Sequence, residues 1–324
     1  MKNKKLAIYI NKKCNRNCSF CYVNKDNSIM SKNIANKIIK YINDNNIYKT
    51  IIFVGGEPLL TPDIITHFIN KINDKSIQYG IMTNGIIKDL NIVKTIPPNV
   101  FYNISLINET SKDNIHKINT IRHLQKLNIN YNILIVNTPS NIDKLYDLIV
   151  YASKLNPDYI KILRQHKMGD IWNNNDIKHY KEILPKLIHL SLYFKEKYKT
   201  YNQISLPNKI DISINESKYV YDNYGINLVD QDSICNYDIV NIDGKQYLCD
   251  GACGEDDYCI GNIWDKPNNP YIIKNFGYQD ILYDYCYLAN NKLCLDFDRN
   301  NDMYRKYYKN ILFKMERLKQ YENI

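Results

Sequence analysis

The residues best suited to chemistry lie near the start of the chain, where Cys14, Cys18 and Cys21 are separated by three and then two residues. Three thiolates this close in sequence cannot complete a tetrahedral zinc site, because such sites take four ligands. The nearest histidine, His67, is far along the chain. Three thiolates can instead hold three irons of a [4Fe–4S] cube and leave the fourth iron open to another ligand. The triad therefore predicts an iron–sulfur cluster with one open position.

The elements that must position this triad are predicted from an alternation of apolar strands and helical patterns. Strands are predicted at residues 6–10, 50–54, 78–82, 101–106, 131–136 and 159–163. Helices are predicted at 31–45, 62–73, 86–95, 111–127, 142–155 and 176–201. Strand-to-helix units of about 25 to 35 residues are typical of a parallel sheet with right-handed crossovers. Six units are too few to close an eight-stranded barrel, so we expect an α/β fold, a partial (β/α)6 TIM-like barrel.

Polar and glycine-rich segments follow several of these predicted strands. Gly55-Gly56-Glu57-Pro58 comes after the second strand, and Thr83-Asn84-Gly85 after the third. Ser105 and Asn137 stand at the ends of the fourth and fifth. In a barrel of this type the chemistry is found at the carboxyl ends of the strands. We therefore expect these residues to gather around the cysteine triad.

The composition changes near residue 205, and we place a domain boundary near residue 225. This divides the chain into a barrel domain, 1–225, and a small cysteine-rich α+β domain, 226–324. A strand at 210–214 and a basic helix at 303–321 are also predicted. The second domain holds six cysteines, at positions 235, 249, 253, 259, 286 and 294.

Composition narrows the classes of function. The 324 residues contain no apolar run of the roughly 18 residues that a membrane span needs, and no signal-peptide core, so we expect a cytoplasmic protein without membrane contact. Nine cysteines in such a chain favour metal or redox chemistry over disulfides. The net charge is +9, but the lysines are scattered through helical segments, so a nucleic-acid partner is not expected.

Together the triad, the Gly-Gly-Glu-Pro segment and the strand-end residues resemble the radical S-adenosylmethionine (SAM) superfamily over roughly residues 4–205. The resemblance implies that SAM chelates the open iron of the cluster. An electron, supplied by a reductant such as flavodoxin or ferredoxin, then cleaves SAM to a 5′-deoxyadenosyl radical, which abstracts a substrate hydrogen. In such enzymes the protein supplies binding and orientation while the cofactor carries the difficult chemistry.

The resemblance also implies a set of SAM-binding residues. Gly55 and Gly56 would let backbone carbonyls approach the methionine ammonium, with Glu57 as an acceptor and Pro58 beside it. Thr83 and Asn84 would border the pocket.

Further along the sheet, Ser105 would lie near the ribose and Asn137 near the ribose or adenine. Lys117 stands about where relatives carry an arginine for the SAM carboxylate, although a lysine lacks the bidentate fork. Each polar strand-end group has a plainer interpretation as a cap. No catalytic side chain is assigned.

The segment from Cys235 to Cys249 resembles the opening of the SPASM/twitch extension of these enzymes. Asp243-Gly244 fits a two-residue hairpin turn between them. The resemblance implies an auxiliary [4Fe–4S] cluster, with two clusters as the alternative. The first choice of ligands is Cys235, Cys249, Cys286 and Cys294. The rival set is Cys235, Cys249, Cys253 and Cys259, and a zinc site on four thiolates is a further alternative.

The function implied is that of a radical SAM oxidoreductase that modifies a peptide or protein side chain, like the maturases of ribosomal peptides. Cross-linking, epimerisation and oxidation are the possible outcomes. Only 13 residues precede Cys14, so we expect no separate peptide-recognition domain there. The alternatives are the same chemistry on a small-molecule intermediate, and an iron–sulfur electron carrier or sensor on a degenerate barrel.

Overall fold

The computed structural model describes four longer segments, residues 4–106, 111–164, 237–247 and 259–265. It also describes short pieces at 175–176, 179, 182–183, 186, 204–205, 253–254 and 256. The predicted strand at 210–214, nearly all of the predicted helix at 176–201 and the predicted helix at 303–321 lie outside these residues.

Six parallel strands, placed side by side in chain order, form the centre of the fold. They are β1 (Lys4–Asn11), β2 (Tyr48–Gly55), β3 (Gln78–Thr83), β4 (Val100–Ser105), β5 (Tyr131–Asn137) and β6 (Ile160–Arg164). Each successive strand lies beside the one before it, as crossover connections of one hand produce. The predicted α/β fold, a partial TIM-like barrel, is confirmed.

Helices connect these strands: α1 (Lys32–Asn45), α2 (Pro62–Lys71), α3 (Asn91–Thr95), α4 (Ser111–Lys126) and α5 (Leu145–Lys154). The predicted start of α1 is confirmed, since the Ser31 side chain accepts the Ile34 N–H at its amino end.

Two of these helices begin later than the sequence indicated. α3 begins at Asn91 rather than at residue 86, because the Ile86 N–H is taken by the Asn84 side chain and Asp89 accepts the Asn91 N–H. A 3-10 segment, Pro139–Lys144, precedes α5 and occupies the residues first expected to begin it.

The sheet continues beyond these six strands on both sides. β7 (Ile204–Ser205) pairs with β6, and β8 (Tyr237–Val240) pairs parallel with β1. β9 (Lys245–Tyr247) and β10 (Cys259–Asn262) then follow antiparallel. The predicted hairpin is present, but its turn spans four residues, 241–244, rather than two. The described part of the C-terminal segment thus extends the barrel sheet, and the boundary near residue 225 stays a prediction.

Both faces of the sheet are packed, as is usual for parallel strands covered by helices. One face, with Leu6, Ile8 and Ile10 of β1, packs against the helices. The opposite, inner face carries a smaller apolar cluster: Ala7, Tyr9, Ile52, Val54, Ile239 and Tyr247. No described helix combines the length and apolar character needed to cross a bilayer.

Candidate active site

The cysteine triad lies in the loop that leaves β1, at the carboxyl edge of the sheet. Backbone hydrogen bonds close this loop at its base: Lys12 N donates to Ser28 O at 2.9 Å, and Met30 N donates to Ile10 O at 2.9 Å. A turn joins two of the cysteines, since Cys21 N donates to Cys18 O at 3.2 Å. We name residues 12–30 the cysteine loop.

Cys14, Cys18 and Cys21 are all free thiols with intermediate exposure. Partial burial raises the pKa of the Cys14 thiol. The Arg16 backbone N–H, which donates to the Cys14 sulfur at 3.4 Å, opposes this rise. Among the residues that the structure describes, no three His, Cys, Asp or Glu side chains are gathered closely enough to hold an ion. The loop supplies three partly exposed sulfur ligands, a donor set that suits three irons of a [4Fe–4S] cluster.

Gly55 and Gly56 lie against the backbone at the start of the cysteine loop. Gly56 N donates to Asn11 O at 3.1 Å, and Glu57 N donates to Lys13 O at 2.8 Å. A Cβ on Gly55 would lie 2.3 Å from Asn11 O, and one on Gly56 would lie 2.4 Å from Lys13 O. Both distances are far below van der Waals contact, so only glycine permits this docking. The glycines therefore have a use that the sequence interpretation did not include, which is to seat the cysteine loop on the end of β2.

Asn11, the last residue of β1, was not identified from the sequence. It is fully buried, and its Nδ2 donates to Glu57 O at 2.9 Å and to Thr61 Oγ1 at 2.7 Å. The only signal in the sequence is a single amide at the end of an apolar strand. Its side chain fixes the Gly-Gly-Glu-Pro segment beneath the cysteine loop.

The Glu57 carboxylate connects the ends of β2 and β3 and is only 2% exposed. Its Oε1 accepts from Thr83 Oγ1 at 2.8 Å and from Leu59 N at 3.0 Å, while its Oε2 accepts from Asn84 N at 2.8 Å. Burial raises the pKa of the carboxyl, although these three donors and the Lys117 charge oppose the rise. Both oxygens of Glu57 and the hydroxyl of Thr83 are thus engaged within the protein. Pro58 is buried beside them.

Lys117 connects α4 to the end of β4. Its side chain is 1% exposed, and its ammonium donates to the carbonyl oxygen of Ser105. One turn later on the same helix, Thr120 Oγ1 donates to Gly85 O at 2.9 Å. The structure therefore brings the predicted residues Lys117 and Ser105 together, and leaves the Ser105 side chain partly exposed.

Asn137 differs from the other strand-end residues because neither amide atom of its fully buried side chain has a hydrogen-bond partner. Strand alternation places it on the face that carries Ile133 and Ile135. Ser105 pairs with Leu134 and so belongs to the opposite face. The two residues predicted near the ribose thus start from different faces of the sheet, and Asn137 has an unmet capacity to donate and accept.

Two of the predicted auxiliary ligands, Cys253 and Cys259, are described and have intermediate exposure. Both pack against the inner apolar cluster, which also contacts Tyr22 of the cysteine loop. Tyr22 lies near Tyr9, with their hydroxyls 3.4 Å apart. The inner face of β1 thus lies between the cysteine loop and these two thiols. The other predicted ligands, Cys235, Cys249, Cys286 and Cys294, lie outside the described residues.

Curated proteins with related sequences include one of unassigned function and one named enzyme. An uncharacterized protein of Methanocaldococcus jannaschii is 27% identical over 282 residues, which are 81% of this chain and 90% of that protein. The radical SAM cyclopropyl synthase TigE of Paramaledivibacter caminithermalis is 27% identical over 197 residues. That match covers 49% of this chain and 41% of TigE.

Solved structures share the fold at low sequence identity. Native anSMEcpe with bound AdoMet and Cp18Cys peptide has a TM-score of 0.66 and 17% identity, covering 99% of each chain. Streptococcus suis SuiB bound to the precursor peptide SuiA has a TM-score of 0.55 and 15% identity. That likeness covers 88% of this chain and 70% of SuiB.

A model of the radical SAM superfamily matches residues 8–149. The match begins in β1 and ends in α5, so it includes the cysteine triad, the Gly-Gly-Glu-Pro segment and the ends of β3, β4 and β5. These are the elements that the structure joins at one edge of the sheet. Residues 8–149 of this chain are therefore similar to the radical SAM superfamily over the segment that holds these elements.

Proposed function

We propose that this protein is a radical SAM enzyme that modifies a peptide or protein side chain. Cys14, Cys18 and Cys21 hold a [4Fe–4S] cluster, and SAM occupies the position that three thiolates leave open. When bound, the cluster and SAM supply a 5′-deoxyadenosyl radical that takes a hydrogen from the substrate. The protein's own residues bind and orient these groups, and a reductant such as flavodoxin or ferredoxin is the proposed electron donor.

The docking of the cysteine loop on the Gly-Gly-Glu-Pro segment is the observation that best supports this proposal. The two backbone bonds at Gly56 and Glu57 fix the start of the loop, and the buried Glu57 carboxylate fixes β3 to the same point. A metal-binding loop held this closely keeps its ligands in place when one position of the cluster exchanges. An electron-transfer protein would not need a second polar group such as Asn137 left unpaired at the same edge of the sheet.

Several of the predicted SAM-binding residues have properties that fit an adenosyl ligand. Asn137 offers two N–H donors and two acceptor sites without a partner, which suits the edge of an adenine or a ribose hydroxyl. The partly exposed side chain of Ser105 lies further along the same edge. Lys117 contributes a buried positive charge that suits the SAM carboxylate. Glu57 and Thr83 support these residues from within the protein. Glu57 accepts the backbone N–H groups of Asn84 and Leu59, and the Thr83 hydroxyl donates to Glu57.

The peptide substrate is proposed from the relatives. The solved structures that share this fold over 88% or more of the chain include one with a Cp18Cys peptide and one with a precursor peptide. For the C-terminal segment we propose an auxiliary iron–sulfur site. In support, the partly exposed Cys253 and Cys259 pack against one apolar cluster on the inner face of the sheet.

Anaerobic reconstitution with iron and sulfide, followed by incubation with dithionite and SAM, tests the chemistry. We expect 5′-deoxyadenosine to be released by the wild type and not by Cys14→Ala. Cys253→Ala is the matched control, since it removes a thiol outside the triad and should leave the cluster on the cysteine loop intact. Equal release from wild type and Cys14→Ala would exclude the radical SAM assignment.

Iron analysis of the same samples tests the auxiliary site. A ratio near four irons per chain would indicate the triad cluster alone, whereas one near eight would support a second cluster.

Co-expression with short peptides encoded beside the gene tests the substrate. We expect a mass change that appears with the wild type and is absent with Cys14→Ala. Turnover only with small biosynthetic intermediates would instead support the alternative substrate class.

A further inference from the structure

Asn84 lies between the end of β3 and the cysteine loop, and its side chain contacts both. Its Oδ1 accepts the Ile86 N–H at 2.8 Å, which fixes the orientation of the amide group. The Nδ2 atom therefore faces the loop, where it donates to Asn15 Oδ1 at 2.7 Å and lies 4.0 Å from Cys14 Sγ. The two hydrogens of one amide nitrogen can serve both contacts.

The position of this amide is fixed by further bonds. The Asn84 backbone N–H donates to the buried Glu57 carboxylate at 2.8 Å. Asn15 returns a bond from its own Nδ2 to Ile86 O at 3.0 Å. The two asparagines thus form a closed ring of hydrogen bonds between the triad and the end of β3. Asn84 approaches Cys14 from one direction, and the Arg16 backbone N–H, 3.4 Å from the same sulfur, supplies a second donor.

We infer that Asn84 is a positioning residue that holds Cys14 and directs an N–H at its sulfur, so that it raises the reduction potential of the cluster bound there. This inference rests on the proposed function, because the cluster on the triad is itself proposed. A hydrogen bond to a charged acceptor strengthens as the negative charge grows, and reduction adds one negative charge to the cluster. The donor therefore stabilises the reduced form more than the oxidised form, and hydrogen bonds to cluster sulfurs are known to set such potentials.

The test is an anaerobic redox titration of the reconstituted full chain without SAM, followed by electron paramagnetic resonance of the reduced cluster. Asn84→Ala removes the donor and should lower the midpoint potential. Asn84→Asp keeps an oxygen for the Ile86 N–H, so the turn is retained, but it has no amide hydrogen. Its potential should fall at least as far, because the carboxylate adds negative charge beside the sulfur.

Asn43→Ala is the matched control. Asn43 also holds backbone with both ends of its amide, since Nδ2 donates to Lys71 O at 3.2 Å and Oδ1 accepts from Asn73 N at 2.9 Å. Asn43 lies in α1, its amide bonds join that helix to the end of α2, and they involve no cysteine. Removing it should reduce stability to a similar extent while leaving the midpoint potential of the cluster unchanged.

The outcomes are distinguishable. Unchanged potentials in iron-loaded Asn84→Ala and Asn84→Asp would overturn the inference and leave the proposed function standing. Loss of iron from both variants would show that Asn84 is required only for structure, and would also overturn the tuning role. A wild type that binds no iron would overturn the proposed function itself.

Discussion

The carboxyl edge of the sheet has two halves that differ in how fully their buried polar side chains are hydrogen-bonded. The near half comprises the cysteine loop with the ends of β1, β2 and β3, and there Asn11 Nδ2, Glu57 and Thr83 bond to one another or to nearby backbone, while Asn11 Oδ1 alone of their side-chain atoms has no partner. The far half comprises the ends of β4 and β5, and there Asn137 has two unpaired amide atoms.

This difference separates two tasks within one domain. Buried polar groups that satisfy each other make a rigid support, whereas a buried group without a partner costs free energy until a ligand meets it. The near half therefore holds the cysteine loop in a fixed position. The far half is where an incoming polar molecule gains most from binding. Substitutions in the two halves should accordingly affect stability and ligand binding in different proportions.

The largest effect should come from Gly56→Ala in the near half. Its methyl group would lie 2.4 Å from Lys13 O and 2.6 Å from Lys12 O, which are backbone atoms that cannot move alone. We expect a loss of about 3 kcal/mol in the free energy of unfolding, together with weak retention of iron. Chemical denaturation and iron analysis measure the two effects.

Gly80→Ala is the control for this substitution. Its methyl group would also meet a close neighbour, but that neighbour is the Phe101 ring, a side chain that can rotate away. A smaller destabilisation with normal iron content is expected. If the two variants lost stability and iron equally, the docking of the cysteine loop on Gly56 would not be the critical contact.

A smaller effect is expected for Glu57→Gln, which replaces one acceptor oxygen by a donor facing the Asn84 N–H. Leaving that partly buried N–H unpaired should cost about 1 kcal/mol. Combination with Thr83→Val should be non-additive, because the Thr83 hydroxyl donates to the same carboxylate. Asp63→Asn, at an exposed site in the first turn of α2, should change stability by less than about 0.5 kcal/mol. Strict additivity of Glu57→Gln and Thr83→Val would contradict the coupling.

Asn137 and Asn141 offer a matched comparison for the far half. Both are buried, but Asn141 Nδ2 donates to Val136 O at 2.7 Å and its Oδ1 accepts from Thr138 N at 2.9 Å. Asn141→Leu should therefore lower the free energy of unfolding by about 1.5 kcal/mol, whereas Asn137→Leu should leave it unchanged or slightly raised.

SAM binding should show the reverse order, with a dissociation constant about tenfold higher for Asn137→Leu and little changed for Asn141→Leu. Isothermal titration calorimetry with the reconstituted protein measures it. Equal SAM affinities for wild type and Asn137→Leu would remove Asn137 from the proposed binding site.

The smallest effect should come from the ion pair that joins the cysteine loop to α4. Arg16 Nη1 lies 2.9 Å from Asp113 Oδ2, and both side chains are partly exposed. A double-mutant cycle with Arg16→Met and Asp113→Asn should give a coupling of about 0.5 kcal/mol that decreases in 1 M salt. A coupling unaffected by salt would indicate a contact that is not mainly electrostatic.

The regular elements could be predicted from sequence because their signals are local. Short apolar runs located β1 to β6, helical patterns located the helices between them, and Ser31 marked the start of α1. The spacing of the cysteines identified the loop that the structure places at the strand ends. The late start of α3 could not be predicted, because it depends on the Asn84 side chain taking the Ile86 N–H.

The contacts that support the site were not predictable for a related reason. Asn11 meets Glu57 across 46 positions of sequence, and a single asparagine carries no spacing signal. Glu57 is predicted as an acceptor for SAM, and its oxygens also accept hydrogen bonds from Thr83, Leu59 and Asn84, for which the motif holds no signal. Whether a polar side chain serves a ligand or its own fold depends on tertiary neighbours, which the motif alone does not specify.

The parallel pairing of β8 with β1 has a consequence for biosynthesis. Lys4 and Asp238 form an ion pair across 234 positions, so β1 leaves the ribosome long before its second neighbour exists. Until residue 240 has been made, one edge of a strongly apolar strand stays open to pairing with other nascent chains. Completion of the sheet thus depends on a late step in translation. Until then β1, the strand that leads into the cysteine loop, has a neighbour on one side only.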